Sequence, residues 1–187
     1  MLIYIRHGDD RRDRDAYRHD RRLRKRAKKD AARLAAQLVE KYGHPEIVRA
    51  SPFRRAVGTA ETMVESLQNP VMVVRDIRLA QHLSEKQQAN PDVSPQTLRS
   101  KVAIHETDEA FQRRIDDHVA EMKRSEFFTS PTVVWCVTHT IVVEEVAARL
   151  GISFPQELNF LAYVVVGGLE ASTTEVATKV ATDDETS

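Results

Sequence analysis

Apolar positions along the chain fall into two patterns, short unbroken runs and longer stretches of helical spacing. Leu2-Ile3-Tyr4-Ile5 is a continuous apolar, β-branched run and predicts a buried strand. Residues 9–19 are polar and aperiodic, which predicts a loop. Ala27, Ala31, Leu34, Ala35, Leu38, Val39 and Tyr42 then recur at helical spacing, with Asp20 as the expected N-cap and Gly43 as the stop. Glu46–Ala50 reads as a second strand. Ser51 and Pro52 follow as N-cap and first position of a helix that carries Ala56, Ala60, Met63, Val64 and Leu67. Val71–Val74 is a third strand, and residues 75–93 form a long polar loop. Ser94-Pro95 opens a short helix. Thr107 caps a longer one with Phe111, Ile115, Val119 and Met122 as its buried stripe. Val133–Val137 is apolar on both faces, as a strand in a covered parallel sheet would be. A helix follows through Val143, Val146, Ala147 and Leu150 to Gly151. Phe160–Val166, Gly167-Gly168 and Leu169–Ala171 read as a hairpin, and residues 172–187 as a frayed tail. This alternation predicts a single α/β domain over residues 1–171, without repeats.

The strand ends carry the chemistry. The first strand stops at Arg6-His7-Gly8, the second at Ser51-Pro52-Phe53-Arg54-Arg55-Ala56, and the central one at Thr138-His139-Thr140. Ligands of open α/β sheets bind at the carboxyl ends of strands. Gly8 suits a turn with positive φ and a close approach of an anion to the backbone. Arg54 and Arg55 fall in the first turn of their helix, beside free backbone N–H groups and the positive end of its dipole. Two histidines and two arginines at one sheet end fit a phosphoryl ligand. The arginines hold its oxygens, one imidazole attacks phosphorus, and the other stabilises the group in transfer. Neighbouring cations also oppose protonation of the histidines, which keeps a nucleophile neutral near pH 7.

Composition narrows the setting. With 41% hydrophobic and 30% charged residues the chain is that of a globular protein, and no apolar run is long enough to span a bilayer. The first strand begins at once, with no signal-peptide pattern ahead of it. The single cysteine, Cys136, lies within a predicted core strand and rules out an internal disulfide, so a reducing, cytoplasmic compartment is expected. Net charge is zero but unevenly spread, because residues 11–33 hold 12 Lys/Arg against 4 Asp/Glu. No Cys/His spacing suggests zinc.

The residues at the three strand ends resemble the histidine phosphatase superfamily, the phosphoglycerate-mutase-like proteins. Arg6-His7-Gly8 is similar to its N-terminal R-H-G signature. Ser51-Pro52 with Arg55-Ala56 and Thr59-Ala60 is similar to its S-P-x-x-R-A-x-x-T-A motif, and Val137-Thr138-His139 to its third. Asp20, Leu23 and Asp30-Ala31 resemble the family's first helix, with Arg24 and Ala27 in place of the usual Thr and Gly. Glu106-Thr107 with Phe111 and Ile115 resembles the stretch before the last core strand. The resemblance implies a three-layer α/β/α sandwich with a mostly parallel central sheet. It also implies a phosphohistidine nucleophile at His7, a phosphate pocket of Arg6, Arg55 and His139, and no metal or organic cofactor. Gly8, Thr140, Gln81 and His82 are the further expected substrate contacts. One position departs from the pattern. The family places a carboxylic proton donor, often as R-L-x-E, where this chain has Arg78-Leu79-Ala80-Gln81. An amide cannot protonate a leaving group. His82 and Glu85 are the nearby candidates for a displaced acid.

Three functions follow as alternatives. The first is a metal-independent phosphatase acting on a phosphorylated small molecule or phosphoprotein. The second is a phosphate-binding module of the same fold that has lost turnover. The third is a nucleic-acid or acidic-protein binder using Arg21–Lys29, against which stands the lack of interleaved aromatics. Neither a membrane partner nor an oligomeric state is signalled.

Overall fold

The structure is a computed structural model and describes residues 1–10, 22–69, 71–82, 106–125, 131–153, 158–167 and 175–177. Strands β1 (Leu2–Arg6), β2 (Pro45–Ala50), β3 (Met72–Arg75), β4 (Val133–Thr138), β5 (Tyr163–Val166) and β6 (Glu175–Ala177) form one sheet in the order β3-β2-β4-β1-β5-β6. The pairings β3–β2, β2–β4 and β4–β1 are parallel, while β1–β5 and β5–β6 are antiparallel. Helices α1 (Lys25–Tyr42), α2 (Arg54–Glu65), α3 (Asp108–Arg124) and α4 (Thr140–Arg149) cover the sheet.

The period-2 alternation of strand side chains sorts the core into two halves. Ile3, Ile5, Val48, Trp135, Val137 and Val165 face α1 and α2 and pack on Leu34, Leu38, Ala56 and Met63. Leu2, Tyr4, Val134, Cys136 and Val164 face α3 and α4 and pack on Phe111, Ile115, Val143 and Val146. Both faces are covered, which is why the strands read as unbroken apolar runs. The fold is therefore the three-layer α/β/α sandwich with a mostly parallel central sheet.

Several boundaries differ from the sequence reading, each for a local reason. The N-cap position of α1 is Arg24, and Asp20 lies outside the described residues. The Arg24 N–H donates to the Asp9 carbonyl at 3.1 Å, and Leu23 bridges Asp10, so the chain stays extended until Lys25. Ser51 does not cap α2. The cap position is Phe53, and the Ser51 hydroxyl meets His139 Nε2 at 2.9 Å and accepts from the Phe53 N–H at 3.4 Å. The third strand is displaced by one residue, to Met72–Arg75, and the Asp76 N–H extends its ladder to the Ala50 carbonyl at 2.8 Å. On the side away from β1, β5 pairs antiparallel with Glu175–Ala177, so the last strand comes from the stretch read as tail, while Leu169–Ala171 lies outside the described residues. Phe160 precedes β5 instead of starting it, and Leu161 adopts φ 61° beside it. The proposed helix at Ser94-Pro95 lies outside the described residues. Other features agree. Thr107 accepts from the Ala110 N–H at 3.1 Å, and Gly43 closes α1 at φ 88°. Cys136 is fully buried.

A polar cluster sits between the sheet and α3. Asp76 bonds Arg78 and Arg49, and Arg78 also reaches Glu121. Burial raises the Asp76 carboxyl, but the bonds from the arginines outweigh it and hold it at about 2. Beneath the same helix the buried His118 Nε2 meets the Tyr4 hydroxyl at 3.0 Å, and burial lowers His118 to about 4.

Candidate active site

Strand register brings the three motifs level. Arg6 pairs with Thr138 and Ala50 with Val137, so the chain leaves β1, β2 and β4 at one height. The His7 N–H donates to the Thr138 carbonyl at 2.9 Å, and the Ser51 N–H to the Val137 carbonyl at 2.9 Å. His7 and His139 then face each other with ring centroids 5.1 Å apart. Arg55, from the first turn of α2, projects between them. Its Nε donates to His7 Nε2 at 2.9 Å, and one terminal nitrogen lies 3.1 Å from both His139 Nδ1 and Gln81 Oε1.

These partners dictate the tautomers. A carbonyl only accepts, so His7 Nδ1, 2.8 Å from the Gly8 carbonyl, carries the proton. A guanidinium only donates, so His7 Nε2 holds a lone pair. By the same logic His139 Nδ1 accepts from Arg55, and its Nε2–H donates to the Ser51 hydroxyl at 2.9 Å. His7 is buried, and that burial pushes its pKa well below the ordinary 6.5. The charges of Arg55 and Arg6 push the same way, against the opposing bond to Gly8. The result is a neutral imidazole with its lone pair at Nε2.

Gln81 is delivered by a pinned backbone. Arg114 donates to the carbonyls of Arg78 and Ala80 at 2.6 and 3.0 Å, and is itself held by Glu106. The Thr138 hydroxyl donates to the Leu79 carbonyl at 2.6 Å. Arg6 donates to the Leu158 carbonyl and lies 4.3 Å from the ring of Phe160, whose own ring is 5.9 Å from that of His7.

The family model for the histidine phosphatase superfamily (branch 1) matches residues 2–162. The chain belongs to this superfamily. No curated protein matches its sequence. Among solved structures, the protein histidine phosphatase SixA complexed with tungstate is 18% identical at TM-score 0.60, covering 94% of this chain and 93% of that one. Mycobacterial glucosyl-3-phosphoglycerate phosphatase in complex with VO3 is 21% identical at TM-score 0.64, covering 97% and 99%. A putative alpha-ribazole-5'-P phosphatase from Escherichia coli str. K-12 is 18% identical at TM-score 0.63, covering 95% and 94%. These similarities show a shared fold.

As a member of the histidine phosphatase superfamily, the chain brings Arg6, His7, Gly8, Arg55, Gln81 and His139 together, and Thr140 sits half-buried at the start of α4. Two expectations change. Gly8 has no positive φ. Its need is space, since a Cβ there would lie 3.3 Å from the Ala27 Cβ and 3.4 Å from Leu23 Cδ2. Its N–H donates to Thr59 Oγ1 at 3.1 Å, which ties the turn to α2. His82 turns away from the pocket, where its Nε2 meets Asp108 at 2.9 Å and its ring stacks on Phe111 at 4.0 Å. Glu85 lies outside the described residues. Ser51, Thr59, Phe53 and Phe160 are site residues that pattern reasoning passed over. Ser51 and Thr59 stood within the S-P-x-x-R-A-x-x-T-A motif, whereas nothing in the sequence marked Phe160. Among the described residues no group of three or more His, Cys, Asp or Glu side chains comes together as a metal site. No described helix is long and apolar enough to cross a membrane.

Proposed function

We propose that this protein is a metal-independent phosphatase that works through a phosphohistidine on His7. The observation that carries this reading is the neutral His7 imidazole, with the lone pair of Nε2 presented to a guanidinium at 2.9 Å. A lone pair that accepts from Arg55 cannot attack phosphorus at the same moment. An entering phosphoryl group would draw Arg55 onto its oxygens and free Nε2 for in-line attack. Arg6 and Arg55 supply the positive charge against which charge builds in transfer. The His139 Nε2–H is committed to Ser51, so its Nδ1 edge faces the reacting group. A proton gained at Nδ1 would let His139 donate to a phosphoryl oxygen. Water then hydrolyses the N–P bond and regenerates His7.

Gln81 shapes the choice of substrate. Its amide occupies the family's acid position and bonds Arg55, and it has no proton to give an alkoxide. Substrates whose leaving groups depart without a proton, such as aryl or acyl phosphates or phosphohistidine, are therefore favoured. The same amide favours a second reading, a phosphate-binding module of this fold with little turnover. We assign the catalytic domain to residues 1–171, with β6 joining its sheet from the tail, and we place the protein in the cytoplasm on the strength of its single cysteine. The test is release of phosphate from a panel of phosphorylated compounds in EDTA, with trapping of an acid-labile, base-stable phosphoprotein. Both signals should vanish in His7→Ala. Near-normal turnover in that variant would refute the nucleophile, and phosphate binding without turnover in the wild type would establish the binding module.

A further inference from the structure

A second cleft of about 520 Å³ lies beside the histidine pocket, between the start of α1, α2 and the end of β3. Five cationic side chains line it, Arg22, Lys25, Lys28, Arg54 and Arg75, against a single acid, Glu61. Among the described residues most other arginines are spent on carboxylates. Arg24 meets Asp9, Arg33 meets Asp30, Arg78 meets Asp76 and Arg149 meets Glu145. Among the described residues the five cleft cations form no ion pair and no side-chain hydrogen bond. Arg22, Lys25 and Lys28 come from one stretch at the start of α1, and only the tertiary fold adds Arg54 from α2 and Arg75 from the end of β3. Like charges gathered around one space repel unless an anion compensates them.

The cleft and the pocket share a wall. Leu23 lines the cleft, and its Cδ2 lies 3.4 Å from where a Cβ on Gly8 would stand. On the α2 side, Arg54 lines the cleft while its neighbour Arg55 holds His7. An anion reaching from His7 past Leu23 would enter a field of excess positive charge. The size of the cleft suits a small molecule. No aromatic side chain lines it, so it offers no platform for stacking a base. Guanidinium forks suit phosphate oxygens.

We propose that this cleft holds the non-reacting phosphates of an oligophosphate whose terminal phosphoryl group lies on His7, which makes the bond cleaved a phosphoanhydride. This rests on the phosphohistidine reading above. It also gives Gln81 a reason. His7 Nε2 attacks the terminal phosphorus, an N–P bond forms and the P–O bond to the bridging oxygen breaks. The bridging oxygen keeps the electron pair and departs on the remaining oligophosphate. That group is a stable anion needing no proton, and the cleft cations neutralise its growing charge. Water then attacks the phosphohistidine, the N–P electrons return to Nε2, inorganic phosphate leaves and a proton passes to solvent.

Inorganic tripolyphosphate and p-nitrophenyl phosphate are the probes, and Arg22→Gln/Lys25→Gln/Arg54→Gln is the variant. These three residues are exposed and lie outside the reacting pocket, so fold and basal chemistry should persist. The variant should lose about tenfold or more in kcat/KM for tripolyphosphate while aryl phosphate turnover stays within about twofold. In a His7→Ala background, calorimetry should show tripolyphosphate binding that weakens by a similar factor when the three cations are removed. Equal losses on both substrates, or none on either, would overturn the proposal. So would cleft-dependent binding of tripolyphosphate without its hydrolysis, or tighter cleft-dependent binding of single-stranded RNA. If His7→Ala still hydrolyses phosphate esters, the phosphohistidine reading fails, while the calorimetry continues to judge the cleft on its own.

Discussion

Arg55→Ala perturbs the centre of the site. Arg55 is bonded to His7, His139 and Gln81 together. When phosphate enters, this guanidinium can place two charge-assisted hydrogen bonds on its oxygens, each about 1.5–3 kcal/mol. Their loss amounts to about 3–6 kcal/mol, so inhibition by inorganic phosphate or vanadate should weaken by about 10²–10⁴-fold. Arg54→Ala is the control. Arg54 is exposed and faces the cleft, so the affinity for a single phosphate should change by no more than about twofold. The pH profile provides a second readout. Arg55 is one of the charges that lower His7, so its removal makes the imidazolium less unfavourable and raises the His7 pKa. The active form is the neutral imidazole, so the acid limb of kcat/KM should move to higher pH. Burial is the largest cause of the lowering and remains, so the limb should stay below 6.5. Thermal melting confirms that the measured variant is folded. Equal losses from Arg54→Ala and Arg55→Ala, or an acid limb that moves to lower pH, would refute the reasoning.

Gln81→Glu should restore a proton donor and raise alkyl phosphate turnover. The gain should reach the lower part of the roughly 10²–10⁴-fold range of general acid catalysis, because Arg55 beside position 81 favours the ionised carboxylate. Aryl phosphate turnover should hardly change, and parallel initial rates on the two substrates check this. Stability should also fall on acidification. His118 is lowered to about 4 from 6.5, so the unfolded chain binds the extra proton between those values and stability is lost as pH falls through that window. The loss from this one group is about 3 kcal/mol by pH 4. In urea titrations across that range, His118→Gln should flatten the slope by up to about 1.4 kcal/mol per pH unit, and an unchanged slope would show that His118 is not the group responsible.

Much of the protein was determined locally and so could be read from the chain. The apolar runs of β1 and β4 are unbroken because both sheet faces are covered, and α1 and α3 show their buried stripes at helical spacing. The chemistry of Arg6-His7-Gly8, Arg55 and His139 sat at the ends of those strands, where a parallel sheet delivers its ligands. The remaining features depend on partners far apart in sequence. Strand register decides that His7 lies beside His139. The Ser51 hydroxyl meets His139 from the end of a distant strand, and α2 starts at Arg54. Gly8 is needed for the approach of Ala27 and Leu23 and not for its own torsion, which no reading of the turn alone could distinguish. His82 and Gln81 are adjacent in the chain, yet Phe111 and Asp108 draw one to α3 while Arg55 holds the other in the pocket. Phe160 lacks a motif because its place over Arg6 comes from the turn before β5. The basic stretch announced positive charge, but only the packing of α1 against α2 and β3 gathers its side chains with Arg54 and Arg75 around one cleft. Spacing along a chain records which face of an element is buried. It does not record which distant group that face will meet.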